Sequence, residues 1–268
     1  MTMRVGLAWT LMSTPGPGWM TPAHAASLRI LIVVTSREVL TATGDPTGLW
    51  LAELTHPYHE LVTRGFEINI ASPSGGPAPI DPASLPSNPR SPDRGDPVGR
   101  AFLNARSDAD KLRQTIKLSR VDPARYAAVL YVGGRGATLD FPDDPDIARI
   151  GAAIYERGGI VAAICYGSAA LAAIKLSDGT WLLSGKTVTG LSEAEERSSD
   201  RKYDREDVVP FHPEADLPKR GAVYTHADRW EPHVVVSGRV VTGQNPASAS
   251  ALGQRLAELL RQERSTQY

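Results

Sequence analysis

Short, nearly continuous apolar runs alternate with segments of helical periodicity along most of this chain. Leu28 to Val34, Phe66 to Ala71, Tyr126 to Val132 and Ile160 to Ile164 are rich in aliphatic residues and bounded by turn formers. Such runs suit parallel strands covered on both faces, because every position then meets a core. Between the first two, Leu51, Leu54, Tyr58, Leu61 and Val62 recur at helical spacing, predicting a helix from Leu49 to Arg64 stopped by Gly65. A second helical stretch is predicted near Phe102 to Leu118, and a third from Ile147 to Arg157, ended by Gly158-Gly159. Further strands are expected at 187–189, 234–236 and 240–242, with a closing helix from Ala247 to Arg261. This βαβα order predicts an α/β fold with a doubly wound parallel sheet sandwiched by helices. No internal repeat interrupts it.

Two segments depart from the pattern. In residues 1–27, Arg4 precedes a short apolar run from Val5 to Met12, and Ala23-His24-Ala25 has the small-x-small form that signal peptidase accepts. The segment reads either as an N-terminal extension or as a weak cleavable signal, which leaves a cytoplasmic or an exported protein. Residues 28–268 read as a single domain. Within it Ser72 to Pro97 is dense in Pro, Gly, Asp and Ser, predicting an irregular surface excursion at about 72–100. No apolar stretch reaches the roughly 18 residues that a membrane-spanning helix needs.

Composition narrows the function classes. The 268 residues carry Lys+Arg 29 against Asp+Glu 30, a net charge of -1, with no local basic run. That balance offers no footprint for a phosphate backbone, so nucleic acid is not an expected partner. The single cysteine, Cys165, excludes an internal disulfide and a multi-thiolate zinc site.

In a doubly wound sheet, chemistry collects beyond the carboxyl ends of the strands. Two such ends stand out. In Val161 to Leu171 (VAAICYGSAAL) a buried strand runs into Cys165 and Tyr166, and Gly167-Ser168 then opens an alanine-rich helix. This is the layout of a nucleophile elbow, in which a small residue two positions on lets the backbone double back. A helix N-terminus there would lower the thiol pKa and cradle an oxyanion. Local context equally allows a small, inert cysteine ending a core strand. The second end, Gly133-Gly134-Arg135-Gly136, leads to Asp140-Phe141-Pro142-Asp143-Asp144-Pro145. It suits close backbone approach to a ligand or to the elbow, or a plain turn into a helix capped by Asp143 or Asp144.

Read together, TGLWLAELTHPY (Thr47 to Tyr58), ASPSGG with PIDPAS (Ala71 to Ser84), YVGGRGATLDFPDDPD (Tyr131 to Asp146), AAICYGSAAL, GKTVTGLSEAEE (Gly185 to Glu196), DVVPF (Asp207 to Phe211) and VVTGQNPASA (Val240 to Ala249) resemble the ThiJ/PfpI superfamily from about Leu28 to Leu260. The nearest branch is that of the heat-inducible chaperones and glutathione-independent glyoxalases (glyoxalase III). The resemblance implies a flavodoxin-like sandwich of the class I glutamine amidotransferase type, a homodimer, a small-molecule carbonyl substrate and no metal or organic cofactor. It makes Cys165 the nucleophile and Glu53 the acid beside the thiol, with a raised pKa. Glu196 falls where the branch places an acid that orients a histidine, with Glu193 and Glu195 close in register. Gly134, Arg135, Gly136 and Gly167 fall on the substrate side.

The chain departs from the branch where proton transfer is expected. Tyr166 replaces the histidine after the cysteine, and Arg135 replaces a histidine between the glycines. Tyr166 is therefore carried as a substitute catalytic or space-filling residue. Arg135 is a candidate for depressing the thiol pKa or binding a carboxylate. His56, His212, His226 and His233 have no metal-ligand spacing and read as structural or exposed, with His233 the one to seek near the cleft. The expected function is a thiol-dependent, glyoxalase III-like enzyme with weak or altered activity. The alternative is a non-enzymatic stress protein, either a dimeric chaperone or a cysteine redox sensor.

Overall fold

The computed structural model describes residues 28–200 and 208–266. The predicted extension or export signal at 1–27, and Asp207 of the DVVPF motif, lie outside the described residues. The order of elements is β1 (Arg29–Val33), α1 (Leu51–Val62), β2 (Glu67–Ser72), α2 (Pro97–Asn104), α3 (Arg106–Arg113), β3 (Ile116–Lys117), β4 (Ala128–Tyr131), α4 (Ala137–Asp140), α5 (Pro145–Glu156) and β5 (Ile160–Ile164). It continues through α6 (Ala169–Ala173), β6 (Thr187–Val188), α7 (Glu193–Asp200), α8 (Pro213–Asp216), β7 (Val223–Tyr224), β8 (Val234–Ser237), β9 (Val240–Gly243) and α9 (Ala249–Thr266).

A seven-stranded sheet runs β3-β2-β1-β4-β5-β9-β8, parallel except for the antiparallel β8 edge. Strand side chains alternate between faces, so each central strand feeds two cores. Ile30, Ile32, Leu130 and Ala162 meet Leu54 and Leu61 of α1 and Leu252 and Leu256 of α9. Leu31, Val33, Val129 and Val161 meet Ile147, Ile150 and Ile154 of α5 and Leu171 of α6. The unbroken apolar runs of the sequence reflect this double burial.

Four sequence expectations change. The helix predicted over 102–118 is two helices and an edge strand, because α2 ends at Asn104, α3 follows at once, and Ile116–Lys117 pairs with Ala71–Ser72. The strand at Thr187 leaves the main sheet and pairs with Val223–Tyr224 in a separate two-stranded one. The sheet is not wholly parallel, since β8 and β9 form a hairpin. The excursion after β2 is irregular but not merely superficial. Asp81, Ser84 and Ser91 are buried, and the Leu49 N–H donates to the Pro79 carbonyl at 2.9 Å. Some of its polar side chains serve its own turns, Asp81 accepting from the Ala83 N–H and Asp96 capping α2 from Val98 and Gly99, while Ser84 Oγ accepts from the Leu51 N–H at the start of α1. At the other strand end, Asp144 caps α5 through the Asp146 and Ile147 N–H groups.

The turns after β4 and β5 sit side by side at the carboxyl edge of the sheet, beside the end of β1. There Asp140 accepts from Thr35 Oγ1 at 3.0 Å and the Ser36 N–H at 2.8 Å, tying the β1 end to α4. Gly167 packs on β4 so closely that a Cβ would overlap the Tyr131 carbonyl oxygen. Gly167→Ala should therefore lower stability by about 1–3 kcal/mol, read as a fall in Tm. An unchanged melting curve would show that the elbow does not rest on β4.

Candidate active site

Strand β5 is buried at every position and ends in extended backbone at Ile164 (φ -135°, ψ 141°). Cys165 then turns left-handed at φ 55°. A 3-10 turn over Cys165–Ser168 leads into α6, and Ser168 Oγ donates to the Cys165 carbonyl at 2.8 Å. A non-glycine residue in this region costs on the order of 1–3 kcal/mol and persists where its surroundings over-determine it. Here the surroundings are fully buried strands on both sides.

Glu53 lies in the first turn of α1 and is completely buried. Burial pushes its pKa from 4.5 up to about 8, and the Asp93 charge adds to the rise. Neither carboxyl oxygen has a hydrogen-bond partner of ordinary geometry among the described residues. Looser interactions with the Cys165 thiol and the Gly133 N–H work the other way and lose. The Cys165 thiol is also raised, first by burial and then by the charge and hydrogen bond of Glu53. This corrects the expectation of a depressed thiol: the Tyr166 N–H does lower it, but a short turn at a strand end does not offset full desolvation beside a carboxyl group. At rest the pair is therefore a neutral acid beside a neutral thiol.

Glycines make the approach possible. A Cβ on Gly133 would stand 2.5 Å from Glu53 Oε2 and 2.9 Å from Cys165 Cβ, so any larger residue would wedge acid and thiol apart. Gly134, at φ 108°, lies against the backbone of Gly48, Leu49 and Trp50, while the Trp50 N–H donates to the Gly133 carbonyl at 3.0 Å. The TGLW and GGRG motifs thus interlock, and the start of α1 is fixed to the end of β4.

A cavity of about 1310 Å³ opens over the pair, and Glu53, Gly134, Arg135, Cys165 and Tyr166 all line it. Gly136, Gly167 and Glu196 are not among the described lining. Gly136 packs on Thr35 and the Arg37 carbonyl. Glu196 is buried and faces His212, with Nδ1 at 3.3 Å from both carboxyl oxygens. Its neighbour Glu195 is the hub of this region. Completely buried, Glu195 accepts from the Ser192 N–H and Oγ, the Trp230 N–H, Gln244 Nε2 and Asn245 Nδ2 at 2.8–3.0 Å, joining the SEAEE segment to TGQNPAS. The excursion supplies a wall of the cavity, including Asp93, which accepts from Trp50 Nε1 at 2.7 Å.

Among the described residues the histidine that lines the cavity is not His233, which contacts Thr225 and Ser248. It is His56, one helical turn beyond Glu53, with Nε2 at 3.2 Å from Asp96 Oδ2. Its i,i+3 spacing from Glu53 was the signal in the sequence, since such positions share a helix face.

The sequence matches the DJ-1/PfpI family over residues 39–259. The chain belongs to that family. Among DJ-1/PfpI relatives, Glyoxalase 3 of Candida albicans is 29% identical over 235 residues, covering 83% of this chain and 94% of that protein. The glutathione-independent glyoxalase HSP31 of Saccharomyces cerevisiae is 28% identical over 242 residues, covering 88% and 99%. The solved structure of Rapid Encystment Protein 24 KDa from Francisella tularensis superposes with a TM-score of 0.80 at 34% identity, covering 87% of this chain and 99% of that one. The α/β sandwich is thus the DJ-1/PfpI fold. Among the described residues no helix is long and apolar enough to cross a membrane.

The raised Glu53 carries a sign that can be checked. Its folded pKa of about 8 lies above the unfolded 4.5, so the folded state holds the extra proton and stability falls as pH rises between those values. Glu53→Gln should match wild type near pH 4.5 and be more stable by about 3 kcal/mol at pH 7, at roughly 1.4 kcal/mol per pH unit. Urea melts at pH 5 and pH 8 measure the difference, and a gap independent of pH would contradict a protonated, buried Glu53.

Proposed function

We propose that this protein is a thiol-dependent enzyme acting on a small 2-oxoaldehyde, in the manner its relatives' names as glutathione-independent glyoxalases indicate. The observation that carries the reading is the buried Cys165–Glu53 pair, brought together across Gly133 under an open cavity. The ionised fraction of Glu53 takes the thiol proton, and the thiolate adds to the aldehyde carbon to give a hemithioacetal. The new oxyanion faces the N–H groups of the elbow. A proton then moves from the former aldehyde carbon to the neighbouring carbonyl carbon, and the oxygen on that carbon takes the proton Glu53 removed from the thiol, converting the hemithioacetal into a thioester of a 2-hydroxy acid. Water cleaves the thioester, releasing the 2-hydroxycarboxylate and restoring the thiol. A carboxyl group with pKa about 8 suits the repeated proton transfers, because its pKa lies near the working pH. His56, held by Asp96 on the same wall, is the imidazole available to relay protons onward.

Tyr166, at the histidine position of the resembled branch, supplies bulk and a backbone N–H rather than a base. Loss of a positioned base reduces rate by about 10²–10⁴-fold, so turnover is slow. The sensor reading is the weaker one, because the open cavity over Cys165 and the glyoxalase names of the relatives both favour a carbonyl substrate. We take the working form to be a homodimer acting without a metal or organic cofactor, with residues 28–268 as one domain.

The test is methylglyoxal consumption and hydroxyacid formation without glutathione. Wild type should turn over slowly, with kcat/KM rising toward pH 8 as Glu53 ionises and levelling above it. Cys165→Ala should be inactive, and Tyr166→His should gain activity. Turnover that survives Cys165→Ala, or a rate that falls as pH rises from 6 to 8, defeats the proposal.

A further inference from the structure

Two non-glycine residues among those described have left-handed backbone, and both line the same cavity: Cys165 and Trp230, the latter at φ 67°. The elbow explains the first. A bulky residue in this region is an outlier that calls for a reason, since the penalty survives only where neighbours enforce it. The enforcement is visible on both sides of Trp230. Its N–H is held by the buried Glu195 carboxylate at 2.8 Å, and the next carbonyl, that of Glu231, accepts from Asn245 Nδ2 at 2.8 Å. The Glu231 N–H closes the turn onto the Asp228 carbonyl at 3.0 Å.

This clamp does not bury the indole. Trp230 is 42% exposed, one of the large apolar side chains left open, and its ring has no hydrogen-bond or stacking partner among the described residues. Trp50 brings a second indole to the cavity, its Nε1 engaged by Asp93. A three-carbon aldehyde at Cys165 would fill little of a cavity of about 1310 Å³, whose lining includes both Trp230 and Trp50. Planar rings prefer offset or edge contacts with other rings.

Resting on the reading of Cys165 as a nucleophile toward 2-oxoaldehydes, we propose that Trp230 and Trp50 form an aromatic subsite that selects 2-oxoaldehydes bearing a planar aromatic substituent. The chemistry is that given above with an aryl group in place of methyl: one water is consumed and a 2-aryl-2-hydroxycarboxylate leaves.

The test compares phenylglyoxal with methylglyoxal in wild type and Trp230→Gly, glycine being the residue that accepts this backbone without strain. Wild type should favour phenylglyoxal in kcat/KM, and Trp230→Gly should reduce that ratio by about tenfold, the value of one aromatic contact, mainly through KM. In the Cys165→Ala background, calorimetry should show mandelate binding about tenfold more tightly than lactate, with the difference lost on adding Trp230→Gly. An unchanged ratio, or equal binding of the two acids, overturns the subsite. So does conversion of a dimer to a monomer by Trp230→Gly without a change in ratio, because the indole then packs on a second copy. If neither aldehyde turns over but mandelate still binds through Trp230, the glyoxalase reading falls and the subsite stands.

Discussion

A carboxyl group and a thiol are held side by side away from water, with only the hydrogen of Gly133 between them and the β4 backbone. Neither group would choose that place. Burial raises both pKa values, so the pair favours its neutral form, and the rest of the structure supplies what keeps it there. Parallel strands β4 and β5 lie in register, Tyr131 opposite Ala163, which brings the two following turns together. The glycines of those turns remove the side chains that would otherwise separate them.

The same constraint explains why the backbone around the site is unusual. Cys165 is left-handed, Gly134 sits against the residues that lead into α1, and the Trp50 N–H is spent on the Gly133 carbonyl rather than on solvent. Each feature brings the acid-bearing helix closer to the elbow. The hub at Glu195 plays a corresponding part on the far side, where five hydrogen-bond donors fix a buried carboxylate and through it the turn carrying Trp230. Unlike Glu53, this carboxyl group is well supplied with donors, which is how a polar group is accommodated in a core.

Much of the fold could be read from the chain because doubly covered strands leave unbroken apolar runs, and β1, β2, β4 and β5 appear within a few residues of their predicted limits. The two-residue β3 left no such run, and the direction of β8 depends on a hairpin partner that hydropathy does not reveal. The strand-end turns that carry the candidate residues Cys165 and Gly134 were legible from turn chemistry. Depth was not: a strand-to-helix turn suggests an acidic thiol, and only the packing around it shows that desolvation dominates. For the same reason the Pro-rich excursion read as surface, although it folds back as a wall, and His56 read as an ordinary helix residue until Asp96 was placed beside it.

The back of α1 rests on α9. A Cβ on Gly253 would meet Pro57 Cα at 2.7 Å, and Ser250 Oγ donates to Glu60 at 2.6 Å across nearly the whole described sequence. The helix that carries Glu53 is therefore covered by a segment about 190 residues further along the chain. Until the two helices dock, Glu53 remains in water with the acidity of any glutamate. The raised pKa of Glu53 is thus a property only of a chain whose α1 and α9 have already docked, so that the two helices farthest apart among the described residues together set the acidity of one side chain.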